Sequence, residues 1–304
     1  MKNRTIAQKW IDKFDVNKVL NLIKEGVNIT DISFVLQIPK RRMYELCDLN
    51  NISRETYGHK IHKNNHFFEK IDSEIKAYLL GYVLADGCVL IEPKKRNGKI
   101  YSYSKRLCFT VSVDDREVIN LLKENIAPTS LIKEFHNNKG AKNRKRSLLL
   151  RISSSKIVDD LIKLNIKPKK TYDITFKFDF DKLDKSLHRH FIRGFFDGDG
   201  WIGTKNQCVG FVSTSKDFLL QLEQIIKNNI IDCKTKITEA QSKNMKYYKL
   251  NFTSFANSSQ GSKKRKEIRQ NLTTSLYNYF YKNSNYYLQR KKIKFNIENI
   301  VLTN

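Results

Sequence analysis

The sequence predicts an α/β (α+β) protein. Two pseudo-symmetric α-β-β-α-β-β-α repeats form a saddle of antiparallel sheets, and a small all-α unit precedes them. Three observations carry this prediction. LLGYVLADG (Leu79–Gly87) and IRGFFDGDG (Ile192–Gly200) are versions of one pattern, each an apolar helical run with a central glycine that closes on Asp-Gly. The same succession of helical and alternating segments follows each copy. Residues 15–50, by contrast, carry helical periodicity alone. The boundaries implied are 1–58 for the helical unit, 59–66 for a linker, 67–172 for the first repeat and 173–304 for the second.

In the helical unit, DVNKVLNLIKEG places Val16, Val19, Leu20 and Ile23 on one face and stops at Gly26. Thr30 is the expected cap of a second helix with Ile32, Val35 and Leu36 inside. A turn at Gln37-Ile38-Pro39 leads into KRRMYELCDL, basic at its start. Helix, tight turn and basic-fronted helix resemble a helix-turn-helix, in which Lys40, Arg41, Arg42 and Tyr44 would face DNA. A three-helix cap packed on the main domain is the alternative. His59, His62 and His66 lack Cys or carboxylate partners at zinc spacing and read as linker residues.

The first repeat reads as a motif helix over 73–85, a strand from Cys88, a basic loop KKRNGK, and the alternating strand RLCFTVSV. A helix over 115–125 follows, then strands near 131–135 and 147–152 flanking NNKGAKNRKR, and the helix SSKIVDDLIKLNI. The second tracks it through WIGTK, CVGFVST, a helix over 216–228, KTKITEA, KYYKLNF and a closing helix over 272–282. Residues 257–271, polar and rich in Lys and Arg, are expected to form a surface loop without counterpart. Alternating strands bury one face and leave the other open. On that open saddle, the expected DNA contacts at the loop tips are Lys94, Lys95, Arg96, Lys142, Arg144, Lys145, Arg146, Lys243 and Lys246.

Composition narrows the partner. There are 57 Lys and Arg against 31 Asp and Glu, a formal net charge of +26 spread along the chain. Such a field favours a polyanion and makes binding salt-dependent. The longest apolar run, near 77–84, is too short for a membrane span and ends in Asp86, so no membrane partner is expected. Five scattered cysteines without CxxC spacing suggest reduced thiols and a cytoplasmic setting.

The paired motifs carry the chemistry. Gly81 and Gly194 occupy equivalent points inside apolar helices, where glycine costs about 1 kcal/mol relative to alanine. Close packing of the two helices at these glycines would offset that cost. Gly87 and Gly200 are expected to be left-handed helix caps. Asp86 and Asp199 then stand at helix C-termini, disfavoured both by the helix dipoles and by each other. A hard divalent cation relieves both, and Mg²⁺ suits few carboxylates completed by water and a substrate phosphate. Such a site can hydrolyse a phosphodiester.

These residues resemble the LAGLIDADG homing endonucleases in their single-chain, two-motif form, over roughly 67–295. The resemblance implies a monomeric, magnesium-dependent enzyme that cuts both strands of a long double-stranded DNA site. It also implies metal contacts from the Ala85 and Gly198 carbonyls beside Asp86 and Asp199. By repeat position, Lys170 and Lys291 are the implied basic residues at the scissile phosphates. Leu84 departs from the pattern where Asp197 keeps an acid, at a position that is not the metal ligand. Two other functions fit the same fold: a DNA-binding regulator that has lost cleavage, and a maturase acting on intron RNA. Retention of both motif aspartates favours the nuclease over the regulator.

Overall fold

The computed structural model describes residues 15–52, 63–136, 146–203, 208–230, 233–242, 245–254 and 260–295. Lys142, Arg144, Lys145, Lys243, His59 and His62 lie outside the described residues. Among the described residues three helices come first: α1 (Val16–Lys24), α2 (Ile29–Leu36) and α3 (Lys40–Leu49). One repeat follows as α4 (Glu74–Asp86), β1 (Gly87–Arg96), β2 (Lys99–Ser112), α5 (Arg116–Ile126), β3 (Ile132–Phe135), β4 (Ser147–Ser153) and α6 (Ser155–Lys163). The second runs α7 (Lys185–Asp199), β5 (Gly200–Gly203), β6 (Cys208–Ser213), α8 (Lys216–Lys227), β7 (Lys234–Gln241), β8 (Lys246–Thr253) and α9 (Ser262–Tyr281), with a short α10 (Gln289–Ile293) after it. The sheet orders, β1-β2-β4-β3 and β5-β6-β8-β7, are the same permutation, so topology as well as motif is duplicated.

The chain divides into two compact units, Met1–Asn65 with Cys108–Ser153, and His66–Leu107 with Ser154–Asn304. In the first, Asp15 caps α1 by accepting from the Lys18 amide at 3.0 Å. Gly26, at φ 82°, ends that helix. The cap of α2 is Asn28 rather than Thr30: its Oδ1 accepts from the Thr30 amide at 2.6 Å, which starts the helix at Ile29. Gln37 takes the left-handed conformation (φ 57°), and the Ser33 hydroxyl closes the turn on the Ile38 carbonyl at 2.6 Å. Val19, Ile23, Ile32, Met43, Leu46 and Cys47 form the core of the three helices.

On β4, Leu148, Leu150 and Ile152 point inward with Val118, Ile119 and Leu122 of α5, while Leu149 and Arg151 alternate to the other face. Register pairs Lys133 with Leu149, placing Lys133 on that same other face. Phe34 of α2 lies there between two cations, 4.1 Å from the Arg151 guanidinium and 4.9 Å from Lys133 Nζ. The helical unit therefore covers part of the sheet face expected to be open. Phe34→Ala should cost about 1–3 kcal/mol, the sum of lost burial and two cation–π contacts, measured by chemical denaturation.

In the other unit, Val209 and Phe211 of β6 pair with Phe252 and Leu250 of β8 and face Phe218, Leu219 and Leu222 of α8. The opposite face carries Lys249, Asn251, Thr238 and Lys236, placed together by register. That face remains basic and accessible, Lys234 and Lys236 being exposed.

Three further expectations are corrected. KKRNGK is not a loop: β1 runs through Arg96, and Asn97-Gly98, both at positive φ (49° and 77°), makes a two-residue turn into β2. Such turns match strand twist, so Lys94, Lys95 and Arg96 are exposed strand residues. Most of 257–271 is helix, since α9 begins at Ser262; SKKRKEIRQNL contains neither Gly nor Pro, and its high polarity marks an exposed helix surface. Gly87 and Gly200 are extended (φ −73° and −79°), not left-handed. They are glycines for want of space: a Cβ on Gly87 would lie 2.6 Å from the Val83 carbonyl oxygen, and one on Gly200 would enter the Phe196 ring.

Candidate active site at the paired helix ends

Helices α4 and α7 pack directly on each other, and residues 77–84 are buried throughout. The contact is two-fold. A Cβ on Gly81 would sit in the carbonyl of Phe191 and 2.8 Å from the Phe195 nitrogen. One on Gly194 would sit in the carbonyl of Tyr78 and 3.0 Å from the Tyr82 nitrogen. Each glycine thus faces the carbonyl three residues before the other glycine, and backbone touches backbone.

Because the helices cross at these glycines, their C-terminal ends meet. Asp86 Oδ2 lies 3.2 Å from where a Cβ on Gly198 would stand, so the Asp86 carboxylate reaches the end of α7 beside Asp199. Asp199 is exposed at the end of its helix, although many protein atoms surround its carboxylate. That desolvation, followed by the charge of Asp86, pushes its carboxyl up to about 7, against the pull of Lys170 and Lys291.

One lysine follows the closing helix of each repeat and returns to a motif end. Lys170 Nζ donates to the Ala85 carbonyl at 3.1 Å. Burial lowers its pKa while Asp199 and Asp86 raise it. Lys291, 6% exposed, donates from Nζ to the Gly200 carbonyl. Burial first, then Arg290, lowers it to about 8. A cavity of about 300 Å³ opens beside Lys170, lined also by Leu84, Ala85, Phe195, Asp199 and Tyr247 among others.

The donor set fits a hard cation: two carboxylates forced together, main-chain carbonyls at the same helix ends, and no thiol or imidazole in the set. Among the described residues no group of three or more His, Cys, Asp or Glu is placed to hold a metal, so a cation here would depend on carbonyls, water and substrate oxygens. Asp197 does not join it. Its carboxylate is fully buried, accepting from Tyr78 Oη at 2.9 Å, Tyr281 Oη at 2.7 Å and the Leu288 amide at 2.7 Å. Burial raises its pKa to about 6 against those hydrogen bonds.

The surface cations expected on DNA divide. Arg41 and Arg42 both pair with Glu45, at 3.2 and 2.6 Å, although the Arg41 side chain is 90% exposed. Arg146 bonds Glu134 at 2.9 Å, and Lys246 pairs with Glu239 at 2.9 Å. Lys40 and Tyr44 are exposed. Lys234, Lys236 and Lys249, on the accessible face of the second sheet, escaped a reading that looked at loop tips; strand alternation in KTKITEA and KYYKLNF was the available signal.

His188 Nε2 lies 3.1 and 3.0 Å from the carbonyl oxygens of Phe180 and Leu183, a structural role. His190 Nδ1 lies 3.5 Å from Glu74, yet burial and Arg193 hold its pKa at about 4. Unfolded, it titrates near 6.5, so the unfolded chain binds more protons between those values. The contribution is complete above about pH 6.5 and is lost as pH falls toward 4. Denaturation midpoints at pH 7 and pH 5 should differ more for wild type than for His190→Gln.

Among the described residues no helix is long and apolar enough to cross a membrane. All five cysteines are free thiols, with Cys47, Cys108 and Cys233 buried.

A family model described as a LAGLIDADG-like domain matches residues 186–277, from α7 into α9. Among solved structures, the homing endonuclease I-WcaI bound to its DNA recognition sequence is similar over 79% of this chain and 96% of its own, at 13% identity and a TM-score of 0.45. The I-LtrWI LAGLIDADG homing endonuclease bound to target DNA is similar over 79% and 92%, at 14% identity and a TM-score of 0.43. Full-length DUF199/WhiA from Thermatoga maritima is similar over 80% and 67%, at 15% identity and a TM-score of 0.39. A search of curated proteins gave no match.

Proposed function

We propose that this chain, whose second repeat matches a LAGLIDADG-like domain and whose first repeat shares its topology, is a site-specific double-strand DNA endonuclease dependent on Mg²⁺. One observation carries the reading. A glycine-mediated helix crossing brings two aspartates together at one spot, with a lysine returned to each motif end.

Asp86 and Asp199, with the Ala85 and Gly198 carbonyls, would hold the cation, which when bound lowers the pKa of water and stabilises the leaving oxygen of a phosphodiester. The chain's own residues do the rest. Lys170 and Lys291 put one positive charge at each motif end, where a phosphate of either strand would carry its developing charge. Burial holds Lys291 near 8, so at neutral pH it keeps its proton while lying close to releasing it. The accessible basic face of the second sheet (Lys236, Lys249, Asn251) supplies side-chain types that meet phosphates and base edges. The α1–α3 unit, with Lys40 and Arg41 exposed at the start of α3, acts as a second, helix-turn-helix-like contact to duplex DNA.

The test is plasmid cleavage in Mg²⁺ using a target selected from random duplexes. Cutting at one long site supports the reading. Binding without cutting, with both aspartates intact, supports a regulator, and preference for structured RNA supports a maturase.

A further inference from the structure

Arg193 and Asp197 are charged, lie one turn apart on α7, and are completely buried. Buried charge is costly unless it is fully paired. Aligned on the central glycines, their counterparts in α4 are Leu80 and Leu84, so the arrangement exists in one repeat only.

Their partners are Glu74 and Tyr78 of α4 and one stretch running from Phe280 to Leu288. Arg193 donates to the Tyr286 carbonyl at 2.8 Å, to Ser284 Oγ at 2.7 Å and to Glu74 at 2.8 Å. Glu74 in turn accepts from the Asn285 amide and from its Nδ2, both at 2.8 Å. Asp197 holds Tyr281 and the Leu288 amide. Between the end of α9 and the start of α10, Ser284, Asn285, Tyr286 and Leu288 are tied to the motif helices by charge-assisted hydrogen bonds. Leu288 is the N-cap of α10, which carries Lys291.

We propose that Glu74, Arg193 and Asp197 are positioning residues: they clamp residues 281–288 and so hold Lys291 at the end of α7 beside Asp199. The charged pair has no counterpart on α4, where leucines occupy the corresponding positions, so Lys170 is not held through such a pair. The buried charged network is therefore a feature of the second motif helix. The consequence for strand cutting rests on the endonuclease reading; the clamp itself does not.

Removing either buried charge risks unfolding, so the first variant is Tyr281→Phe, which deletes one hydroxyl and keeps the ring. Asn285→Ala is the second. Lysine acetylation by a small anhydride, followed residue by residue with mass spectrometry, reads the clamp without any need for cleavage. Lys291 should be protected in wild type and become about tenfold more reactive in either variant, with Lys170 unchanged. Equal reactivity of Lys291 in wild type and both variants, with melting temperatures showing folded protein, overturns the clamp.

On a nicked-versus-linear plasmid assay with each strand labelled, the variants should slow one strand by about tenfold, within the range seen when outer partners of a site are removed. Duplex affinity should stay within a few-fold, and adding Tyr281→Phe to Lys291→Met should cause no further loss. Equal slowing of both strands would mean that these residues serve stability alone. If wild type cuts nothing while Lys291 reactivity still responds, the nuclease reading fails and the clamp stands.

Discussion

Asp86→Asn and Asp199→Asn should each abolish double-strand cleavage while leaving duplex binding within a few-fold. Each carboxylate is one of two at the junction of the helix ends, and a bound cation contributes several kcal/mol to the transition state. Losing that contribution slows the reaction on the order of 10³-fold or more. Affinity depends instead on the many cations spread over strands and helices. The substitutions also remove a repulsion, since the charge of Asp86 raises the Asp199 carboxyl. Burial and that repulsion together outweigh the pull of Lys170 and Lys291 on Asp199, so the Asp199→Asn variant should be no less stable at neutral pH and should unfold at or above the wild-type midpoint. Full cutting by either variant would remove the aspartates from the chemistry.

The second large effect is on folding. Gly81→Leu or Gly194→Leu should destabilise the protein by more than about 4 kcal/mol, the exceptional range reserved for severe core disruption. The reason is geometric: the first side-chain atom would already occupy the carbonyl of Phe191 or Tyr78, which belongs to the other helix backbone and cannot rotate away. Even Gly→Ala should destabilise strongly, although alanine gains about 1 kcal/mol of helix propensity. Circular dichroism melts of the purified variants test this. An unchanged midpoint would mean that the helices do not meet at these glycines.

What the sequence disclosed follows from the kind of signal each feature leaves. Repeat topology was legible because strand alternation and helical periodicity recur in the same order, and RLCFTVSV, KTKITEA and KYYKLNF all form strands. The LAGLIDADG-like character of the second repeat was legible in IRGFFDGDG. Features dependent on a few local dihedrals were harder. Asn97-Gly98 shortens a basic loop to a two-residue turn, and the charge of KKR concealed the strand that leads into it. Polarity likewise concealed the first half of α9.

The buried network left no local trace. Arg193 and Asp197 read as part of a motif, but their partners stand at 74, 78 and 280–288, brought together only by the tertiary fold. Phe34 is similar: one partly buried aromatic on a short helix gives no indication of the sheet face that receives it.

The measurement that bears most directly on the central claim is a cleavage selection from a random duplex library in Mg²⁺, with Asp86→Asn/Asp199→Asn alongside. The account predicts that wild type alone enriches one long cut site, and that the double variant binds this site without cutting it. Cutting by the double variant at the same site, or binding of one site by both proteins with no cutting by either, would contradict it.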